Sequence, residues 1–274
     1  MGLLGRRLAV SFPDTVLEEK ESPRDKTAKL GLIARACAIY GVDVIEVFRD
    51  PGGKGEGGAI KKVLEYLETP QYLRRRLYPL DEALKYAGLL PPLRIPSHRA
   101  KVPIDRVPLG QMREGVANSD GTVDIGLGLP FELRGQARAG ARVTVRVISS
   151  KPPVADRVQP ETVKEYWGYR TELKSADQVL SDGRFRVKVA TSRLGAPIIA
   201  ERSRLEAAFR GTDSLKLIFG SPSRGLYDIV GRDLGRRVDF VVNLVPEQKV
   251  ETVRTEEAIL VGLGLVSVLS AEKA

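Results

Sequence analysis

Three loops could hold a ligand, each following a hydrophobic run: Thr191-Ser192-Arg193-Leu194-Gly195, Gly220-Ser221-Pro222-Ser223-Arg224-Gly225, and Asn243 to Thr252. Their Gly, Ser, Thr and Asn residues expose backbone donors and acceptors that can grip an adenosine-like ligand without charged side chains. Open α/β sheets bind ligands where such loops leave the carboxyl ends of strands; a set of ordinary turns is the rival reading. A fourth loop, Gly52 to Gly58, formally contains GxGxxG at Gly53, Gly55 and Gly58. It is too long for its first glycine to make the immediate strand-to-helix turn of a dinucleotide site, and Gly55 follows Gly53-Lys54 where a P-loop needs Ser or Thr. It therefore reads as a flexible linker, with an RNA-contacting flap and a nicotinamide site as rivals.

The chain has one histidine, His98, and one cysteine, Cys37. An intramolecular disulfide and any multi-cysteine metal site are excluded, and no metal is expected. A Ser-His-Asp arrangement would need His98, which lies in the proline-rich basic stretch Leu93 to Pro103 and reads better as a surface or RNA contact. Cys37 falls on the apolar face of a helical pattern and reads as a core thiol.

The 274 residues carry 44 Lys and Arg against 35 Asp and Glu, a formal charge of +9. That excess favours a polyanionic partner such as RNA, with a solvated basic surface as the rival. Arg74, Arg75 and Arg76 span most of a helical turn, so one or two of them, Arg74 and Arg75 in the reading taken here, face phosphate. His98, Arg99, Arg142 and Arg146 extend the track. With 42% hydrophobic and 29% charged residues the chain is globular. Its longest apolar run, Ala258 to Leu269, is broken by Gly262 and Gly264 and is shorter than the roughly 18 to 20 residues that cross a bilayer. No membrane association is expected, and the localisation expected is a reducing cytoplasm.

Strands are predicted at Leu8 to Phe12, Asp43 to Phe48, Phe185 to Ala190, Ser214 to Gly220 and Val238 to Asn243. Helices follow them. Ser22-Pro23-Arg24-Asp25 has the form of a helix start, and Gly41 stands where a left-handed helix end is wanted. Further helices are predicted from Thr69-Pro70 and over Asp81 to Tyr86. From Pro96 the helical period gives way to short alternating runs with frequent Pro and Gly. In ARVTVRVIS, Val143, Val145 and Val147 point one way, with Arg142, Thr144 and Arg146 the other. Tyr166, Trp167 and Tyr169 add aromatic surface that could stack bases, or serve as core. The fold predicted is α/β, a parallel sheet interrupted by a small β-barrel.

FGSPSRGL (Phe219 to Leu226) and NLVPEQKVETVRTEEAI (Asn243 to Ile259) resemble the cofactor loops of the SPOUT, or trefoil-knot, RNA methyltransferases. KLGLIARACAIYGVD (Lys29 to Asp43), YLETPQYLRRRLYP (Tyr66 to Pro79) and GLLPPLRIPSH (Gly88 to His98) resemble its archaeal and eukaryotic branch, which carries an inserted OB-like domain. The resemblance covers nearly the whole chain, and the strings occur in order.

It implies a knotted domain over residues 1–95 and 171–274, an OB-like RNA-binding domain over 96–170, a homodimer, and S-adenosylmethionine held among the three loops. Thr191, Gly220, Asn243, Gln248 and Thr252 are carried over as cofactor contacts. The relatives often have Thr-Ser-Glu-Arg-Gly in the first loop where this chain has Thr-Ser-Arg-Leu-Gly, and Arg193 stands as the substitute. The function expected is methylation of RNA, ribosomal RNA foremost, at a base nitrogen such as N3 of a uridine. Positioning supplies most of such catalysis, but an acceptor proton must leave or its charge be stabilised. Arg35, Arg254 and Glu257 are the candidates for that role. A non-catalytic RNA-binding or ribosome-assembly factor of the same fold is the alternative.

Overall fold

Strands apolar on both faces belong in a parallel sheet covered by helices, and the runs VIEVF and SLKLI are buried at every position. In the computed structural model, which describes residues 7–17 and 22–271, the first half runs β1 (Arg7–Pro13), α1 (Pro23–Ile39), β2 (Val44–Arg49), α2 (Gly57–Glu68) and α3 (Gln71–Leu77). Then come β3 (Met112–Ala117), β4 (Thr122–Asp124), β5 (Phe131–Arg134), β6 (Arg142–Ser150) and β7 (Pro153–Val158). The last part is β8 (Arg170–Ser175), α4 (Ala176–Ser181), β9 (Val187–Pro197), α5 (Arg202–Arg210), β10 (Ser214–Ile218), α6 (Leu226–Val230), α7 (Leu234–Arg237), β11 (Phe240–Asn243) and α8 (Thr255–Ser270).

The chain divides into two compact units. Among the described residues, one contains those up to 65, 86–90 and those from 169 on; the other contains 66–85 and 91–168. These units group 66–85 and 91–95 with the barrel and 169–170 with the sheet, where the sequence reading divides the chain into 1–95 and 171–274 against 96–170. The reason for the first is side-chain bonding: Tyr72 Oη donates to Glu114 O (2.9 Å), and Arg76 donates to Asn118 Oδ1 (2.8 Å) and Asp124 Oδ2 (3.2 Å).

The first unit is a six-stranded sheet in the order β11-β9-β10-β1-β2-β8, every neighbouring pair parallel. Phe48, Val179, Leu180, Ala190, Ile218, Leu226 and Leu234 form a core on it; burying each such side chain is worth about 1.5–3 kcal/mol. Ser22 caps α1 by accepting from Asp25 N (3.2 Å), Pro23 occupies its first turn, and Gly41 follows it at φ 65°, as the sequence predicts. Cys37 is fully buried, and burial pushes its thiol pKa up. Buried charges cross the sheet as well. Glu46 Oε2 lies 2.7 Å from Lys216 Nζ and accepts from Ser11 Oγ (2.6 Å), while its Oε1 meets Lys174 Nζ at 2.5 Å. This cluster ties β10, β1, β2 and β8 together through paired rather than isolated ions.

The second unit is a closed barrel, β3-β4-β5-β7-β6. Val143, Val145 and Val147 point into its core with Phe131, Val123 and Ile125, as the alternation predicts. Asp81 to Tyr86 is not a regular helix: only short 3-10 turns form at Glu82–Leu84 and Ala87–Leu89. No helix among the described residues is long and apolar enough to cross a membrane.

Candidate functional site

The first ligand loop exists because β9 breaks its register. Val241 of β11 pairs with Ala190, but Val242 pairs with Ala196, so residues 191–195 swing out of the sheet. A Cβ on Gly195 would lie 2.7 Å from the carbonyl carbon of Val242, so only glycine lets the returning chain pass β11. The second loop follows β10. There a Cβ on Gly220 would come within 2.9 Å of Arg224 O, and Ser221 N donates to that carbonyl (2.9 Å). The third loop follows β11 and leads into α8.

All three converge at the carboxyl ends of β9, β10 and β11 on one cleft of about 290 Å³. Every residue predicted to touch the cofactor, Thr191, Arg193, Gly220, Asn243, Gln248 and Thr252, lines it. Several of their polar ends hold the loops to one another. Asn243 Nδ2 donates to Arg193 O (3.1 Å), and its Oδ1 accepts from Val245 N (3.0 Å). Gln248 Nε2 donates to Val250 O (3.0 Å) and Glu251 O (2.9 Å). Thr191 Oγ1 donates to Ile218 O (3.2 Å), Thr255 Oγ1 to Gly220 O (3.0 Å) and Arg193 Nη1 to Glu251 O (3.3 Å). Asn243, Gln248 and Thr191 therefore position the walls of the cleft.

The walls combine apolar groups, Leu244, Val245, Val253 and Ala258, with loop backbone, and carry the charged side chains Arg193, Asp228 and Glu251. That is a fit for a flat heteroaromatic ring with polar edges joined to a zwitterionic tail: the ring is held by apolar contact and backbone groups, the tail by side chains of both signs.

Arg254 and Glu257 stand beside the cleft, between and after its lining residues Val253 and Thr255. Glu257 Oε2 accepts from Arg254 N (2.9 Å), a helix-capping contact at the start of α8. Its neighbour Glu256 is buried, its Oε2 has no hydrogen-bond partner, and burial raises its pKa. Arg35 is exposed on α1 and does not line the cleft.

The glycine loop is not a free linker. Asp50, buried at the end of β2, accepts from Thr15 Oγ1 (3.1 Å) and Gly52 N (3.0 Å) and pairs with Arg224, whose Nη2 donates to Asp228 O (3.0 Å). A Cβ on Gly52 would overlap the Arg224 guanidinium, and one on Gly55 the Asp14 carboxylate. Arg224 thus joins the second cleft loop to the glycine loop. Charge and spacing gave no signal of this pairing, because Asp50 and Arg224 are 174 residues apart.

The basic residues predicted to face RNA separate into two groups. Arg74 is buried, donating to Thr69 O (2.9 Å) and Leu67 O (3.0 Å) with its guanidinium 4.6 Å from the centre of the Tyr66 ring. Arg142 lies between two carboxylates, Glu68 (2.6 Å) and Glu114 (2.5 Å), which raise its pKa against the opposing effect of burial. His98 contacts Glu68 O through Nε2 (2.7 Å); burial pulls its pKa down to about 4, and its Nδ1 is buried without a partner. Since a carbonyl can only accept, Nε2 carries the proton. Arg74 is buried, and Arg142 and His98 are partly buried, each bonded to groups of the barrel unit, a direction that charge along the sequence does not carry.

Arg75 and Arg146 are exposed, Arg146 donating to Asp156 (3.4 Å), and Arg99 is paired with Glu165 (2.7 Å). Of the aromatic residues, Tyr169 is core, its hydroxyl donating to Leu64 O (3.0 Å), and Trp167 Nε1 donates to Glu114 Oε1 (2.5 Å).

A model of the family described as "Putative RNA methyltransferase" matches residues 7–266. An uncharacterized protein of Halobacterium salinarum is 34% identical over 281 residues, which cover 93% of this chain and 97% of that protein. The 28S rRNA (uridine-N(3))-methyltransferases of Mus musculus and Homo sapiens are each 31% identical over 300 residues, covering 93% of this chain and 74% and 76% of theirs. With a match that runs through both units and includes all three cleft loops, the chain belongs to this RNA methyltransferase family.

Proposed function

We propose that this protein transfers a methyl group from S-adenosylmethionine to a base nitrogen of ribosomal RNA, N3 of a uridine by analogy with its named relatives. The observation that carries the reading is the convergence of three loops, spread in sequence from Thr191 to Thr252, on one cleft at the strand ends. S-adenosylmethionine supplies, when bound, a methyl group on a cationic sulfur that needs no further activation. The chain's residues bind and orient: the backbone around Gly220 and the apolar Leu244, Val245 and Val253 take the adenosine, and Arg193, Asp228 and Glu251 take the charged tail.

A uridine N3 carries a proton that must depart as the new N–C bond forms and the methyl–sulfur bond breaks, its electron pair staying on sulfur. Arg254, at the lip of the cleft, is assigned to stabilise the negative charge left on the base, with Glu257 one turn away to accept the proton. Arg35 is carried with them as a third candidate on the sequence reading alone. Arg75, Arg99 and Arg146 are assigned to phosphate contacts, which set affinity and orientation rather than sequence choice.

A homodimer is part of this proposal. On α8, Leu260 is 46%, Val261 38% and Val268 72% exposed, an apolar face that a second copy would cover. Ala258 of the same helix lines the cleft, which brings the proposed interface near the cofactor. Val261→Asp should yield monomers by light scattering, and an unchanged mass would remove the dimer from the proposal.

The experiment that tests the function is incubation of purified protein with methyl-labelled S-adenosylmethionine and unmodified ribosomal RNA, followed by digestion to nucleosides. Label in 3-methyluridine is expected. Cofactor and RNA binding without transfer would instead identify a non-catalytic RNA-binding factor.

A further inference from the structure

A second cavity, of about 530 Å³, opens at one end of the barrel. Leu133 and Ala137, both half-buried, form its apolar floor and pack on the barrel core, with Ala117 buried beside them. Its rim carries Gln136, Arg138 and Arg157, and none of its lining residues has a carboxylate. Residues 135–141, which join β5 to β6 without a helix, contribute Gly135, Gln136, Ala137 and Arg138 to its lining.

The geometry of this rim is built. Gly135 has φ 112°, and a Cβ there would lie 3.0 Å from Arg157 Cβ, so glycine lets the connection close against β7. Arg157 is tethered through Nη1 to Gln136 O, which sets its guanidinium at the rim. Arg138 is exposed and has no ion pair among the described residues, unlike Arg76, Arg99, Arg142 and Arg146. The barrel's buried arginines serve the fold; Arg138 and Arg157 face outward across an apolar floor.

We infer that this end of the barrel holds one nucleotide of a single RNA strand, with its phosphate between Arg138 and Arg157 and its sugar and base on the Leu133 and Ala137 floor. The inference rests on the reading of the chain as an RNA-modifying protein and adds a site remote in sequence from the cleft loops. A planar guanidinium suits a phosphate geometrically, and an apolar floor suits a base, since every base has an apolar face.

The test measures binding of a labelled oligouridylate to the full chain over a series of salt concentrations, for wild type, Arg138→Ala and Arg138→Ala/Arg157→Ala. Each phosphate contact on a single strand contributes about 0.7 to the slope of log affinity against log salt. The double variant, which strips that one phosphate of both guanidiniums, should therefore be shallower by about 0.7. Over a fourfold rise in salt the wild type should lose about 2.6-fold more affinity than the double variant. Arg138→Ala, which removes no internal hydrogen bond, should show half the change in slope even if Arg157→Ala disturbs the loop.

Equal affinity and slope in wild type and both variants would overturn the site while leaving the methyltransferase reading intact. No RNA binding by wild type that still binds S-adenosylmethionine would overturn both the site and the RNA reading. Competition by inorganic phosphate as effective as that by oligouridylate would assign the pocket to a free anion. Loss of poly-glutamate binding in the variants, with RNA binding unchanged, would assign it to an acidic protein. Either result overturns the nucleotide.

Discussion

The cleft of the sheet unit and the barrel unit treat their polar side chains in opposite ways. In the cleft, Thr191 from the first loop and Asn243 and Gln248 from the third line one place and bind backbone carbonyls of the strands and loops around them. In the barrel, Arg74, Arg142 and His98 look from the sequence like one basic track, yet each turns inward to a carbonyl or carboxylate. A loop motif specifies local backbone geometry, which survives into the fold. A positive charge specifies only that some partner is needed, and a buried carboxylate supplies it as well as a phosphate does.

Arg142→Ala breaks the comparison at its strongest point. It leaves Glu68 and Glu114, both largely buried, facing each other without their cation, so unfolding in urea should show a loss of about 3 kcal/mol. A variant of undiminished stability but weakened RNA binding would return Arg142 to the surface group. Asn243→Ala comes next: it removes one hydrogen bond between cleft loops and one within the third loop, together about 2 kcal/mol. Calorimetry should find S-adenosylmethionine binding weaker by roughly thirtyfold, whereas wild-type affinity in the variant would mean that the loops hold without it.

His98 sharpens the barrel side. Its folded pKa of about 4 lies below the ordinary value of 6.5, so the unfolded chain binds the extra proton first as pH falls. Stability from this group is complete above pH 6.5 and declines as pH drops through 6.5 towards 4, by about 3 kcal/mol. Thermal melts should show this decline, and His98→Gln should flatten it; a profile identical in the variant would separate the decline from the imidazole. Arg75→Ala has the smallest expected effect. Exposed on α3, it should leave stability within about 0.5 kcal/mol and lower the salt slope of RNA binding by about 0.7 for a single strand. No change in slope would leave Arg75 a solvated charge.

The sheet unit was legible where residues announce themselves locally. VIEVF and SLKLI are too apolar for one-faced strands, and Ser22-Pro23 and Gly41 bracket a helix by steric and capping chemistry. β8 was not legible: RTELKS is polar, and it is a strand because β2 offers a free edge to pair with. The helix expected over Asp81 to Tyr86 was overdrawn, since two 3-10 turns replace it. In the cleft all six expected cofactor residues are neighbours, but Arg224 was missed, because its partner Asp50 lies on another strand end.

The sequence by itself determined the α/β class, the β-rich insertion, the buried thiol of Cys37 and the three loops of the cleft. Each follows from hydrophobic period, turn chemistry or motif order, all of which act over a few residues. Only the tertiary structure decided which arginines are internal, that the glycine loop is pinned by Arg224 and Asp50, and that Arg138 and Arg157 share a rim at the barrel's end. Those outcomes depend on which distant groups meet, and a side chain's partner is set by the packing of elements rather than by its neighbours along the chain.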